Sequence, residues 1–447
     1  MSKVIIQLDG KVIQKQINLT KEQKEAVGLL SIGTFLEYFD LMLFVHMGVL
    51  LNELFFPKTD PHTTALYSAM AFCSSFVFRP IGALIFGYIG DTVGRKSTIV
   101  ITTFMMSISC IIMANLPTYE QIGVTAAWII TICRIIQGMS SMGEIVGAEL
   151  YLIEITKPPV QYPTVALLGL FGSFGPAVAL GVATLVTSFG FNWRIAFWIG
   201  AGIAVIGSLA RTTLRETPEF ADAKCQLKKT LAKVSNVINV DQRKVEGHRI
   251  WKEKSNKTTF LSVMLIGFIC PISFYFKYIY CAGILKNYFG YSAAQIIQHN
   301  FIISIILICW IAVIVYLSYY FHPLKILKAT ITVFTVFALV CPYLLNHIST
   351  PFELLLLQSF AILGIGELPA APILYKHFPV FKRFSCASLT FALSRAVMYV
   401  ITSFGVVYLT EYFGHWGLLI IMIPVILGYV FGLLHLQKLE KEAGNYP

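Results

Sequence analysis

Apolar stretches of membrane-crossing length alternate with short polar gaps along almost the whole chain. A span needs about 20 mostly apolar residues. Twelve stretches meet that need: 27–50, 64–89, 97–116, 123–153, 162–187, 195–214, 260–285, 295–320, 326–346, 352–375, 384–410 and 416–436. One longer polar interruption, 216–259, divides them six and six. The pattern predicts an all-α membrane protein of twelve transmembrane helices in two six-helix bundles, residues 27–215 and 260–437. An N-terminal segment 1–26, a central loop 216–259 and a short tail 438–447 complete the organisation. Segment 1–26 is polar and lacks the apolar run of a cleavable signal.

The polar gaps carry an orientation. Lys3, Lys11, Lys15, Lys21 and Lys24 precede span one, and Arg95 and Lys96 lie between spans two and three. The central loop is rich in lysine and arginine, and Lys325, Lys328, Lys376, Lys382, Arg383, Lys438 and Lys441 continue on the same side. The opposite gaps offer little beyond Lys58, Lys286 and Arg194. By the positive-inside rule both termini and the central loop are expected to be cytoplasmic. Two bundles joined by such a linker suggest a carrier that binds its substrate near the midplane and rocks for alternating access.

Composition narrows the class. The chain is 56% hydrophobic and 13% charged, against about 25% charged in soluble domains. Its net charge of +11 sits in the short gaps, where topology uses it, so the lipid bilayer rather than nucleic acid is the expected partner. Nine scattered cysteines show neither a CxxC pair nor metal spacing. No HExxH, GxSxG or P-loop pattern occurs. No enzyme activity, cofactor or metal is therefore expected.

Ionisable residues within spans are candidates for function. At 1.5 Å per residue, Glu37 and Asp40 lie roughly 15 and 20 Å into span one, on one helix face. Arg79 lies ~18 Å above the end of span two, and Arg134 ~16 Å into span four. Four charges thus share a level near the midplane. Buried ions need partners, so a network of Glu37, Asp40, Arg79 and Arg134 is expected. Its acids could take and release a proton during transport, or remain a permanent ion-pair scaffold. Gln137 and Glu144 continue the face of Arg134, and Glu149 follows toward the inner end. Glu149 suits the gate and the cavity equally.

In the second half, Lys277 lies ~25 Å into span seven and Arg395 ~16 Å into span eleven. Tyr275, Tyr278 and Tyr280 flank Lys277. A cation among tyrosines could hold a carboxylate substrate, or snorkel to the outer interface. Arg395 could bind an anion or pair with Glu367. The substrate-binding candidates are Gln137, Tyr275, Lys277 and Arg395.

Five short motifs occur in order along the first half, on spans one, two, four and six and just after span six. They are Gly33-Thr34-Phe35-Leu36-Glu37-Tyr38-Phe39-Asp40; Arg79-Pro80-Ile81-Gly82 through Gly87, Gly90, Asp91, Gly94, Arg95 and Lys96; Arg134-Ile135-Ile136-Gln137-Gly138 with Gly143-Glu144; Trp193-Arg194-Ile195-Ala196-Phe197; and Glu216-Thr217-Pro218-Glu219-Phe220. In these the chain resembles the major facilitator superfamily, and within it the metabolite:proton symporters that include the proline/betaine transporter. The resemblance implies the twelve-helix fold of that superfamily, monomeric, in a bacterial inner membrane. It implies proton-coupled symport of a compatible solute, amino acid or small carboxylate. It also implies a cytoplasmic gate held by Asp91, with Gly87, Gly90 and Gly94 allowing close approach and a tight turn; Arg95 and Lys96 could bind headgroups or span-four acids such as Glu144 or Glu149, or only fix topology.

Three departures stand out. The base expected after Asp91 is Thr92. The related loop between spans eight and nine reads Leu317-Ser318-Tyr319-Tyr320-Phe321-His322-Pro323, without an acid. Arg395 stands where an uncharged residue is expected. The tail lacks the long coiled-coil extension of osmosensing members, so osmosensing is not expected. The alternatives are an uncoupled facilitator or exchanger, and a receptor-like protein that does not transport.

Overall fold

The computed structural model describes residues 3–8, 11–16, 18–56, 75–189, 191–235 and 255–446. Helices follow all twelve predicted stretches. Span one is Lys21–Phe55, span three Arg95–Asn115, span four Val124–Ile155, span five Gln161–Phe189 and span six Arg194–Arg211. Span two is seen over Arg79–Thr92; its expected beginning at 64–74 lies outside the described residues. The second half comprises span seven Lys257–Asn287, span eight Ala293–Tyr320, span nine Pro323–His347, span ten Pro351–Lys376, span eleven Arg383–Phe413 and span twelve Gly417–Glu442. Among the described residues, ten helices have the length and apolarity to cross a membrane. Large apolar side chains such as Trp128, Ile206 and Leu427 point outward, as lipid-facing surfaces require.

The halves meet along two seams, span two against span eleven and span five against span eight. The first seam depends on glycine. A Cβ on Gly87 would sit 2.8 Å from Ser385 Cα, and one on Gly90 would sit 2.4 Å from the Phe384 ring. The missing side chains let the two backbones touch.

Several spans are not regular helices. Spans four, seven and eleven each contain a π-helical turn, at Met142–Gly147, Phe276–Tyr280 and Ile401–Gly405. Such turns recur at functional sites, and here the first two carry Glu144 and Lys277. Span ten breaks between Leu363 and Leu368. The Trp310 indole N–H donates to the freed Ile365 carbonyl at 2.7 Å. Irregular backbone at this depth is tolerated where protein or a cavity receives it.

The N-terminal segment holds an antiparallel hairpin, β1 Lys3–Leu8 and β2 Lys11–Gln16. The Asp9-Gly10 pair between two apolar-rich runs is a hairpin signal. Gln16 N–H donates to Pro158 C=O at 3.3 Å, which pins the hairpin to the loop after span four. At the other end of the chain, Tyr446 packs on His322 in the loop between spans eight and nine. Both termini thus lie on one face, called here the terminal face. The central loop includes a helix, Pro218–Ser235. Its basic residues Arg243, Lys244, Arg249, Lys252 and Lys254 lie outside the described residues.

Candidate functional site

The four mid-depth charges of the first half form two pairs. Arg79 Nη2 lies 2.6 Å from Glu37 Oε1. Arg134 pairs with Asp40, and Gln137 Nε2 donates to the other Asp40 oxygen at 3.1 Å. All five side chains are buried. Each arginine also faces a ring, Arg79 over Phe76 at 4.7 Å and Arg134 over Phe44 at 4.2 Å. Gln137 thereby completes the Asp40 pair, and it does not reach the central cavity.

That cavity, of about 170 Å³, lies between the halves. Tyr38 and Met42 of span one, Glu149 of span four and the Gly169–Pro176 stretch of span five form one wall. Spans seven, eight, ten and eleven form the other, with Cys270, Lys277, Glu367, Tyr375 and Arg395 among its polar groups. Lys277 is 3% exposed and therefore does not snorkel to the outer interface. The π turn explains its aim, since an extra residue per turn rotates it relative to Tyr275. Tyr275 instead lines a separate pocket with Tyr280 and His415. Arg395 stacks over Phe391 at 3.5 Å, donates to Ser394 Oγ at 3.1 Å and stands 3.9 Å from Glu367. Glu149 meets the Tyr375 hydroxyl across the seam.

The terminal face is closed by a second charge cluster. Asp91 accepts from the backbone N–H groups of Phe384 and Ser385 at 3.0 and 2.9 Å, capping span eleven from the opposite half. Arg95, fully buried, reaches Asp91 at 3.2 Å, Glu154 at 3.0 Å and the Val380 carbonyl at 2.8 Å. Arg383 answers from the second half, 3.4 Å from Glu154 and 2.9 Å from Glu219. Gly94 holds φ 149, and a Cβ there would strike the Glu216 carboxylate, which itself accepts from Arg95 N–H at 3.0 Å. Near Thr92, where a base was expected, Lys224 reaches the Thr92 carbonyl at 3.2 Å.

The two span-four acids go to different places, and Glu149 takes one of the two that were open to it. Glu144 pairs with Arg211 of span six rather than with Arg95 or Lys96. Glu149 lines the cavity. Besides Asp91, Arg95 is held by Glu154, which the sequence reading did not single out. Arg211 was missed as well, because it stands at the end of an apolar stretch where a topological role sufficed. It donates to Thr103, Leu29 O and Leu30 O in addition to Glu144. Gly33 is required by that cluster: a Cβ there would lie 1.8 Å from Glu144 Oε2.

The second half closes the same face with an imidazole. His322 stacks edge-on to Tyr162 of span five at 5.9 Å and to Tyr446 at 5.3 Å. Its Nδ1 accepts from Leu324 N–H at 3.3 Å, so the neutral ring carries its proton on Nε2, which has no partner among the described residues. Beside it, Glu440 binds Lys376 at 2.5 Å and His377 at 2.7 Å. Burial holds the His322 imidazole below its usual range; Glu440 opposes this, and Lys376 and Lys325 add to it. The closed form therefore binds a proton more weakly than a solvated histidine would. Its contribution to closure is present above about pH 6.5 and is lost as pH falls below it. Acidifying the terminal face to about pH 5.5 is expected to raise labelling of cavity residue Cys270 by an impermeant thiol reagent, measured relative to the unfolded chain at each pH so that the loss of thiolate is divided out, with Cys270→Ser as background. His322→Phe should blunt that rise; an undiminished rise would assign the response to another group.

With this architecture in view, comparison with known proteins is direct. The profile described as "Sugar (and other) transporter" matches residues 27–440. The chain belongs to this family of the major facilitator superfamily. The transporter is 33% identical to the Escherichia coli K12 proline/betaine transporter over 205 residues, 44% of this chain and 41% of that one. The match thus spans less than half the length of that relative. A Haemophilus influenzae protein described as a metabolite transport protein is 29% identical over 396 residues, 82% of this chain and 85% of its own. The structure of the proton:xylose symporter XylE bound to 6-bromo-6-deoxy-D-glucose aligns with TM-score 0.73 at 16% identity, covering 93% of this chain and 95% of that one. The last likeness is one of fold. This transporter is accordingly a multi-pass membrane protein and not an enzyme.

Proposed function

We propose that this transporter carries a small carboxylate-bearing metabolite, anionic or zwitterionic, together with protons across a bacterial inner membrane. It does so by alternating access as a monomer, with both termini and the closed terminal face cytoplasmic. One observation carries the reading: Lys277 and Arg395 reach into a cavity between the halves whose walls also hold Glu149 and Glu367. Cations supply the counter-charge for a carboxylate, and the acids with Tyr38, Tyr375 and Phe391 suit the positive end of a zwitterion. Proline and betaine transport by a relative supports that class, and the proton symporter among the fold neighbours supports coupling. The two bundles, 27–215 and 260–437, would rock about the two seams.

A second reading, an uncoupled exchanger, draws support from Glu37 and Asp40. Each is already matched by an arginine, so neither is an unpartnered proton site. Reconstituted vesicles separate the readings. With an inward proton gradient, labelled proline or glycine betaine should accumulate above its outside level; equilibration without accumulation would leave only the exchanger. Arg395→Gln should weaken binding of either probe by about tenfold or more, as expected for a lost charge-assisted contact. Unchanged affinity would remove Arg395 from the site.

A further inference from the structure

Among the described residues, the interior cations of this transporter are matched, with one exception. Arg79 has Glu37, Arg134 has Asp40, Arg211 has Glu144, and Arg95 and Arg383 share Glu154. Arg395 has Glu367 at 3.9 Å and the Phe391 ring. Lys277 has no carboxylate within ion-pair reach among the described residues. Its Nζ stands 5.9 Å from the centre of the Tyr278 ring, and Gln358 binds only its backbone carbonyl, at 2.7 Å. The unmatched cation is also an amine. A guanidinium keeps its proton under all ordinary conditions, whereas an amine can release one.

We infer that Lys277 is the proton carrier of the symport, taking up a proton together with the cargo's carboxylate as one ammonium–carboxylate pair. This rests on the carboxylate-symport reading given above. When the cavity faces outward, the amine lone pair accepts a proton from the outer water as the carboxylate arrives. An N–H bond forms, and no bond in the cargo changes. A lone ammonium in this buried position is costly, and so is a lone carboxylate; each removes the cost of the other. Proton and cargo therefore enter together. When the cavity faces inward, departure of the carboxylate removes the counter-charge, the N–H bond breaks, and the proton leaves to the inner water. One proton accompanies each carboxylate, and the empty carrier returns without an added charge. In this scheme Glu37 and Asp40 serve as the partners of Arg79 and Arg134 and tie spans one, two and four together.

The test uses the full-length protein in proteoliposomes, with proline and glycine betaine as probes. Accumulation under an inward proton gradient is compared with gradient-free counterflow. Wild type should show accumulation. Lys277→Arg keeps a fixed charge, so counterflow should fall several-fold yet persist, while the ratio of gradient-driven to gradient-free flux falls at least tenfold. Lys277→Met should lose both. A Lys277→Arg protein with the wild-type ratio would overturn the inference while leaving symport intact. A wild type that ignores the gradient would overturn the symport reading itself. A second measurement does not depend on any variant folding: probe binding to wild type in weakly buffered detergent solution near pH 8 should be accompanied by net proton uptake, which should increase as the starting pH is raised. Binding without proton uptake would overturn the role of Lys277.

Discussion

Replacing Arg211 with leucine should destabilise the folded transporter by about 3–5 kcal/mol, the usual cost of removing one partner from a buried ion pair. Arg211 is fully buried, and its guanidinium binds Glu144, Thr103 and two backbone carbonyls of span one. Leucine would leave the Glu144 carboxylate buried with Thr103 alone and would take the guanidinium donor from both carbonyls, which keep their helical partners. Adding Glu144→Gln should restore part of the loss, because the uncompensated charge disappears while the lost contacts to Thr103 and the two span-one carbonyls remain lost. Unfolding of the purified protein followed in detergent reads this directly. Equal stability of wild type and Arg211→Leu would show that the cluster is incidental. The cluster ties spans one, three, four and six to one another, so its loss should disorganise the first bundle and leave the second intact.

Asp91→Ala should open the terminal face. Asp91 caps span eleven of the opposite half through two backbone N–H groups and also receives Arg95. Hydrogen bonds to a charged group contribute about 1.5–3 kcal/mol, which corresponds to a shift of roughly ten- to a hundredfold in the equilibrium between closed and open gate. Arg95 keeps Glu154 and the Val380 carbonyl, so the loop itself should stay folded. The readout is reaction of Cys270 with an impermeant thiol reagent from the terminal face, which should rise by about that factor. Labelling no faster than wild type would mean that Asp91 does not hold the gate. His322→Phe keeps the ring contact with Tyr162, so its effect at neutral pH should be much smaller.

These expectations separate what was readable along the chain from what was not. The depth of Glu37, Asp40, Arg79 and Arg134 follows from helical rise, and the structure brings all four to one level. Their division into Glu37–Arg79 and Asp40–Arg134 did not follow, because three neighbouring helices had to choose their azimuths first. Glu144 and Glu149 are five residues apart, and a π turn lies beneath them. A regular helical wheel therefore misplaces one relative to the other, and the structure sends Glu144 to Arg211 and Glu149 to the cavity. The π turn at Phe276–Tyr280 does the same for Lys277 and Tyr275. Glu154 and Arg383 were visible as charges near span ends. Their bridge between halves joins residues 229 positions apart, a pairing that no local pattern encodes.

Hydrophobic periodicity and the placement of lysine and arginine determine span number, the six-plus-six division and the expected orientation, because each rests on transfer of a local segment from water to lipid. The motifs around Gly33, Arg79, Arg134, Trp193 and Glu216 determine the family for the same reason: their meaning is local. Partnership was decided only by the tertiary structure. Whether a buried cation is a scaffold or a working group depends on which carboxylate a distant helix presents to it. By that measure Arg79, Arg134 and Arg211 have the partners a scaffold needs, and Lys277, without a carboxylate in ion-pair reach among the described residues, is the group proposed for the cargo.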